Sequence, residues 1–278
     1  MCIRDRSNSS ATSSVITVSD ETVPILLSAT YKDTNGNGTV DRIDAVYSEV
    51  ITSSAFESSD WTFPANPNGL SVGSGAFSGS TVQITVTGAP ANTTVLGTTT
   101  VKYTNQGTSN SITDGSNSSA TSSVITLSDE AKPVIVSAVT GDNNSDGTVD
   151  RLTLTFSESV VITDGDTDND ITLSASTGSA SITAGSYGAT ASTLVYTISG
   201  ATAGNTSLTI DPTYAVSGAG NITDPTGNEM ANSETVSGSD GAAPVFLSAT
   251  YKDTNGNGTV NRIDAVYSEV ITSSAFES

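Results

Sequence analysis

The chain repeats itself at a domain-sized interval, and no other feature constrains its fold as strongly. Ser28–Ser58 (SATYKDTNGNGTVDRIDAVYSEVITSSAFES) recurs as Ser248–Ser278 at 30 of 31 positions, with Asn261 standing where the first copy has Asp41. A looser copy lies between them at Ser137–Gly165 (SAVTGDNNSDGTVDRLTLTFSESVVITDG). A second element, Ser7–Glu21, returns at Ser116–Glu130 with a single change, Val18 to Leu127. Gly38 and Gly147 are 109 residues apart, and Gly147 and Gly258 are 111 apart. Solenoid repeats run at roughly 20–50 residues, whereas an interval near 110 matches one compact domain, so tandem domains are expected.

The phase of the repeat places the boundaries. Residues 23–131 and 132–242 are two complete units, 243–278 is the truncated start of a third, and 1–22 holds the tail of a preceding one. Met1–Arg6 (MCIRDR) belongs to neither pattern and is expected to be a sequence-assembly remnant. This phase predicts a piece of a much longer protein, with poor order at 1–22 and 243–278, because an isolated hairpin is marginal.

Within a unit the strand signals are regular. Arg151–Phe156 alternates, with Leu152, Leu154 and Phe156 on one face, and Ser192–Ser199 puts Leu194, Tyr196 and Ile198 inward. The first unit answers with Ile43, Ala45 and Tyr47, and with Val82, Ile84 and Val86. Pro133–Val139, Ser207–Ile210, Thr235–Ser237 and Ser122–Leu127 complete the set of strands, and Gly, Asn and Asp clusters separate them. No segment carries the period and length of a helix. Seven or so short strands in about 110 residues predict an all-β fold of tandem immunoglobulin-like Greek-key β-sandwiches arranged end to end. Trp61 has no counterpart in the second unit and is expected to be core packing. Between units, Ser19–Pro24 and Ser128–Pro133 share Ser-Asp-Glu and a Pro, and Ser239–Pro244 keeps Ser-Asp and the Pro. A Pro at a strand start suits a stiff junction, so a rod is expected.

Composition narrows the chemistry. There is no histidine, and the one cysteine is Cys2, so Ser-His-Asp or Cys-His catalysis and His- or Cys-built zinc sites are excluded. Nine Lys and Arg against 29 Asp and Glu give a formal charge of −20, which excludes nucleic acid as a natural partner. No apolar run reaches the ~18 residues of a membrane-spanning helix. The 45 Ser and 44 Thr, with few aromatic residues, favour strands over helices.

The succession of an apolar Pro-led entry, Ser-Ala, an Asp/Asn/Gly turn, an alternating strand and then Tyr/Phe-Ser-Glu resembles the bacterial immunoglobulin-like (Big-type) repeats of secreted surface proteins. The resemblance covers both full units and the partial third. It implies an extracellular or cell-surface location and a structural or adhesive role, although this fold serves many functions.

One constellation carries chemistry. Asp33, Asn35, Asn37, Thr39, Asp41 and Asp44 fall at loop positions 1, 3, 5, 7, 9 and 12, with Gly38 at position 6 to allow the sharp turn. A calcium ion takes six to eight oxygens, and a short loop supplies them when alternate side chains converge. The loop resembles those of EF-hands and dockerins in ligand order, but it lies between strands. The second copy keeps Asp142, Asn144, Asp146, Thr148 and Asp150, with Thr153 at position 12. The third keeps Asp253, Asn255, Asn257, Thr259 and Asn261, with Asp264 at position 12. The same residues favour plain turns, and Asn-Gly between alternating strands is a hairpin signal. Calcium loop and plain turn therefore both stand at this level.

Two further sets recur. Glu49, Glu158 and Glu269 follow a serine at a strand end, where they accept backbone hydrogen bonds or contact the junction. Asp20, Asp129 and Asp240 sit in the junctions, either as members of an interdomain calcium site or as solvated turn residues. The expected function is a non-catalytic spacer in a large secreted surface or adhesin-type protein, stiffened by calcium. Its partners would be neighbouring repeats of the same chain and possible cell-surface glycans or proteins. The alternative is a set of accessory or glycan-binding modules of an extracellular enzyme.

Overall fold

The computed structural model describes residues 18–162, 170–186, 190–215, 222–231 and 234–272. Met1–Arg6 and most of Ser7–Glu21 lie outside them. The chain is nearly all-β, about 45% strand and 1% helix, the helical part being a single turn at Ser58–Asp60.

In the first unit the strands are β1 (Leu26–Lys32), β2 (Arg42–Tyr47), β3 (Trp61–Thr62), β4 (Ser71–Ser78), β5 (Thr81–Thr87), β6 (Thr100–Tyr103), β7 (Ile125–Thr126) and β8 (Ser128–Asp129). They form a five-stranded sheet in the order β4-β5-β2-β1-β8 and a three-stranded sheet β3-β6-β7. Both sheets feed one core. Ile43, Ala45, Tyr47, Val82, Ile84 and Val86 enter it from the first, and Trp61, Val101 and Tyr103 from the second. Trp61 is core packing, as expected: its ring lies 5.3 Å from that of Tyr103 and stacks on Phe56 at 6.3 Å.

The second unit comprises β9 (Ile135–Gly141), β10 (Arg151–Ile162), β11 (Ile171–Ala175), β12 (Ser181–Ser186), β13 (Ala191–Ser199), β14 (Ile210–Tyr214), β15 (Ile222–Thr223), β16 (Glu234–Thr235) and β17 (Gly238–Ser239). The larger sheet runs β12-β13-β10-β9-β17, with β15 also pairing β10, and the smaller is β11-β14-β16. Leu152, Leu154, Leu194, Tyr196 and Ile198 meet Ile171, Ile210 and Tyr214 in a second core. The alternation read from sequence is thus the pattern of burial, because a sheet with one dry face must sort its side chains with period two.

Strand limits shift where a local partner wins over the ladder. The apolar entry begins pairing only at Ile135, because the Val134 N–H donates to Ser157 Oγ at 3.0 Å. The expected strand at Ser207–Ile210 starts only at Ile210. One tyrosine detail repeats across the two units. Tyr103 Oη accepts from Ile112 N at 2.9 Å, and Tyr214 Oη accepts from Ile222 N at 3.1 Å.

Each unit closes with a short strand lying parallel to its own first strand. Thr30 pairs with Ser128 in unit one, and Ala138 with Gly238 in unit two. The next unit begins a few residues later. The third opens with the hairpin β18 (Phe246–Lys252) and β19 (Arg262–Tyr267), in the same register as β1 and β2, including the irregularity after the first pair. The chain after residue 243 therefore does form its hairpin, while the inner face stays uncovered. Ile263 is 71% exposed, whereas its twin Ile43 is 0% exposed.

Candidate functional site

The three Asp/Asn/Gly loops are knit by their own amides. Asp33 Oδ1 accepts from Gly36 N at 2.9 Å and Oδ2 from Gly38 N at 2.6 Å, while Asn35 Oδ1 accepts from Asn37 N and Asn37 Oδ1 from Thr39 N. Asp41 closes the loop, accepting from Thr34 N at 2.9 Å. In the second loop Asp142 accepts from Ser145 N and Gly147 N, Asn144 from Asp146 N, Asp146 from Thr148 N, and Asp150 from Asn143 N. The third loop follows suit through Asp253, Asn255, Asn257 and Asn261, with Thr259 N donating to Asn257. The amides of Gly258, Gly256, Asn257 and Asn255 hold the Asp253 carboxyl below its usual range. The left-handed backbone at Gly38 (φ 77°), Gly147 (85°) and Gly258 (85°) makes these turns possible.

Position 12 lies elsewhere. Asp44, on β2, is engaged by Lys32 Nζ at 3.1 Å and Arg42 Nε at 2.7 Å, and Asp264 repeats the arrangement with Lys252 and Arg262. Among the described residues, no loop brings three carboxylates together.

Carboxylates converge instead at the joints. Asp129, Glu158 and Asp224 place one oxygen each within 4.8 Å of one another, and Asp20, Glu49 and Asp114 do the same one unit earlier. The two triads are homologous. Each takes its first acid from the connection, its second from the recurrent Ser-Glu, and its third from a turn later in the same unit. The Ser-Glu lies just past the end of β2 for Glu49 but inside β10 for Glu158, not at the strand end expected from sequence. Asp224 sits in an Asp-Pro-Thr-Gly-Asn turn and accepts from the amides of Thr226, Gly227 and Asn228 at 2.7–2.9 Å. Asp114, in Asp-Gly-Ser-Asn, accepts from Ser116 N and Asn117 N. The asparagine of each turn reaches across to the connection: Asn228 Nδ2 donates to the Asp129 carbonyl at 3.3 Å, and Asn117 Nδ2 to that of Asp20 at 3.2 Å.

The triads differ in burial. Glu158 is 5% exposed and Asp224 2%, because the preceding unit covers them. Burial pushes Glu158 up to about 7 and Asp129 up to about 6, although Thr94 and Tyr31 hydrogen-bond to them. In the outer triad, desolvation and then the charges of Asp114 and Asp20 raise Glu49.

The cover is a repeated latch. Thr94, at the loop end of unit one, donates its amide to the Ser157 carbonyl at 3.3 Å; its hydroxyl lies 3.0 Å from Ser157 Oγ and donates to Glu158 Oε1. Thr206 makes the same contacts with the serine of the third unit, its amide 3.3 Å from the Ser268 carbonyl and its hydroxyl 2.7 Å from Ser268 Oγ. The Asp/Asn/Gly loops abut the same surface. A Cβ on Gly38 would lie 3.1 Å from Val136 Cγ1 and 3.5 Å from Ser157 Cβ, and one on Gly147 only 2.7 Å from Leu247 Cδ2. These glycines thus admit the next unit as well as making the turn.

Chemically, each triad is an all-oxygen, hard-donor set. Like charges this close favour taking up protons or a cation, most strongly in the buried triad. Calcium–oxygen bonds of 2.3–2.6 Å put two oxygens on one ion no more than about 5 Å apart, which the observed spread satisfies. The junction aspartates and the Ser-Glu glutamates were legible in sequence as recurrent acids. Asp114 and Asp224 were not singled out, although an Asp followed by Asn three or four residues later recurs at the same place in both units. No family model and no curated protein sequence matches the chain.

Proposed function

We propose that this chain is a non-catalytic spacer of a large secreted bacterial surface or adhesin-type protein, a rod of immunoglobulin-like β-sandwiches whose joints are closed by calcium. The observation carrying the reading is that one joint chemistry occurs twice in succession: threonine latch, serine, glutamate and junction aspartate. A spacer needs each unit to meet the next in one geometry, and a repeated polar latch supplies it. The boundaries 23–131 and 132–242 belong to this reading, and a separate hydrophobic core within each stretch supports them.

Calcium at the Asp129, Glu158 and Asp224 triad accounts for acids that are otherwise buried together at a cost. At the third joint, Glu269 Oε1 is fully buried without a hydrogen-bond partner, as an oxygen awaiting a cation would be. The Asp33, Asp142 and Asp253 loops are the second calcium reading, favoured by oxygens already gathered on alternate residues.

Calcium titration by calorimetry on the full chain tests both. The Asp129→Asn/Asp224→Asn variant should lose the heat of the buried triad and the Asp33→Ala/Asp142→Ala variant that of the loops. No heat from the wild-type chain ends the calcium reading. Small-angle scattering that reports a compact rather than elongated particle ends the spacer reading.

A further inference from the structure

The upper face of the first unit is built like that of the second, which is covered, and that of the third, where Leu247 remains 39% exposed, yet it stands more open than either. Its Ile25 is 56% exposed and Leu27 59%, while Val134, the counterpart of Ile25 in the second unit, is 6% exposed. Ser48 is exposed, while Ser157 and Ser268 are 4% and 5% exposed. Among the described residues, Glu49 has no threonine of a neighbouring unit above it; the hydroxyl near it is Thr22 Oγ1, within its own connection, at 3.5 Å. Ile25 N already donates to Ser48 Oγ at 3.0 Å, as Val134 N does to Ser157 and Val245 N to Ser268. The receiving half of the joint is therefore assembled. Val18 adds to this. It is 88% exposed, whereas Leu127, at the equivalent position, is 5% exposed within the core of the first unit.

We infer that the face formed by Ile25, Leu27, Ser48 and Glu49 is a docking surface for the loop end of another unit of this same repeat type. The complementarity is specific. A left-handed glycine at the tip of an Asp/Asn loop lies over Leu27, as Gly38 lies over Val136 and Gly147 over Leu247. A threonine equivalent to Thr94 donates its amide to the Ser48 carbonyl and its hydroxyl to Glu49. Val18 enters the core of the docked unit as Leu127 enters that of the first. Closing this face buries the Asp20, Glu49 and Asp114 triad as Asp129, Glu158 and Asp224 are buried. The inference rests on the spacer reading and gives that spacer a rule of assembly: each unit's loop end is the sole partner its successor's upper face requires.

The test duplicates residues 18–126 in tandem within the full chain, so that a complete unit precedes Val18 in the natural register. In a Cys2→Ser background, Leu27→Cys in the downstream copy reports the face through its rate of thiol labelling, and Val136→Cys reports a joint covered in either chain. Leu27→Cys should label at least tenfold more slowly in the duplicated chain than in the original, approaching Val136→Cys. Thr94→Val in the added unit should restore part of the rate. Equal Leu27→Cys rates in the two chains, with the added unit shown to be folded by the burial of its Trp61, overturn the docking surface. If scattering of that same chain still reports an elongated particle, the spacer reading survives this failure; a collapsed particle would remove both.

Discussion

The Thr94 hydroxyl, at the loop end of one unit, donates to the buried carboxyl of Glu158 at the head of the next. This bond joins residues 64 apart in sequence and belongs to neither unit's core.

Removing it should loosen the joint without unfolding the units. Thr94→Val keeps the shape but leaves a buried acceptor short of its donor, at a cost of about 1–3 kcal/mol. Amide exchange at Val134, whose N–H donates to Ser157 Oγ, should accelerate roughly tenfold or more. Exchange at Ile43 and Ile84, deep in the first core, should not change.

The joint should respond to pH with a definite sign. Glu158 and Asp129 have folded-state values of about 7 and about 6, above their ordinary 4.5 and 3.8. The folded chain therefore holds protons that the unfolded chain has released. These groups cost nothing below about pH 4, and stability falls as pH rises to about 7. Without calcium, Glu158→Gln should match wild type at pH 4 and melt higher at pH 7.5, as calorimetric scans can measure. Millimolar calcium should narrow that gap at pH 7.5, because the cation replaces the protons.

Two near-identical sequences in different surroundings offer a paired test. Ile43→Ala, at a site 0% exposed, should cost about 2–5 kcal/mol in urea unfolding. Ile263→Ala, at a site 71% exposed, should cost no more than about 0.5 kcal/mol. Similar costs would mean that the third hairpin is covered in solution.

Gly38 combines a φ of 77° with a neighbour from the next unit. Gly38→Ala should therefore be worse than Gly36→Ala, where the backbone is also left-handed but no atom lies within 4 Å of the added carbon. The excess, read as the difference in melting temperature between the two variants, measures the contact with Val136.

Much of the architecture was legible before any coordinates. The 109- and 111-residue offsets marked the units, and alternation at Ile43, Ala45 and Tyr47 and at Leu194, Tyr196 and Ile198 identified the inward faces. These signals are local or periodic, and a sheet with one dry face imposes them on the sequence directly. The candidate site was legible only in part. Ligand spacing put Asp44 with Asp33 and Asp41, but the β1–β2 register sets Asp44 opposite Thr30, one diagonal step from Lys32, and the ion pair holds it there.

By itself, the sequence determined an all-β repeat protein with recurrent acids in its turns and connections, because strand periodicity and self-similarity are written along the chain. Only the tertiary structure decided which acids meet. Asp129, Glu158 and Asp224 converge because the chain crosses a whole unit before returning to its head, and the Thr94 end of the preceding unit then shuts them from water. Contacts made across about a hundred residues and between two cores depend on the path of the backbone, and no local pattern encodes that path.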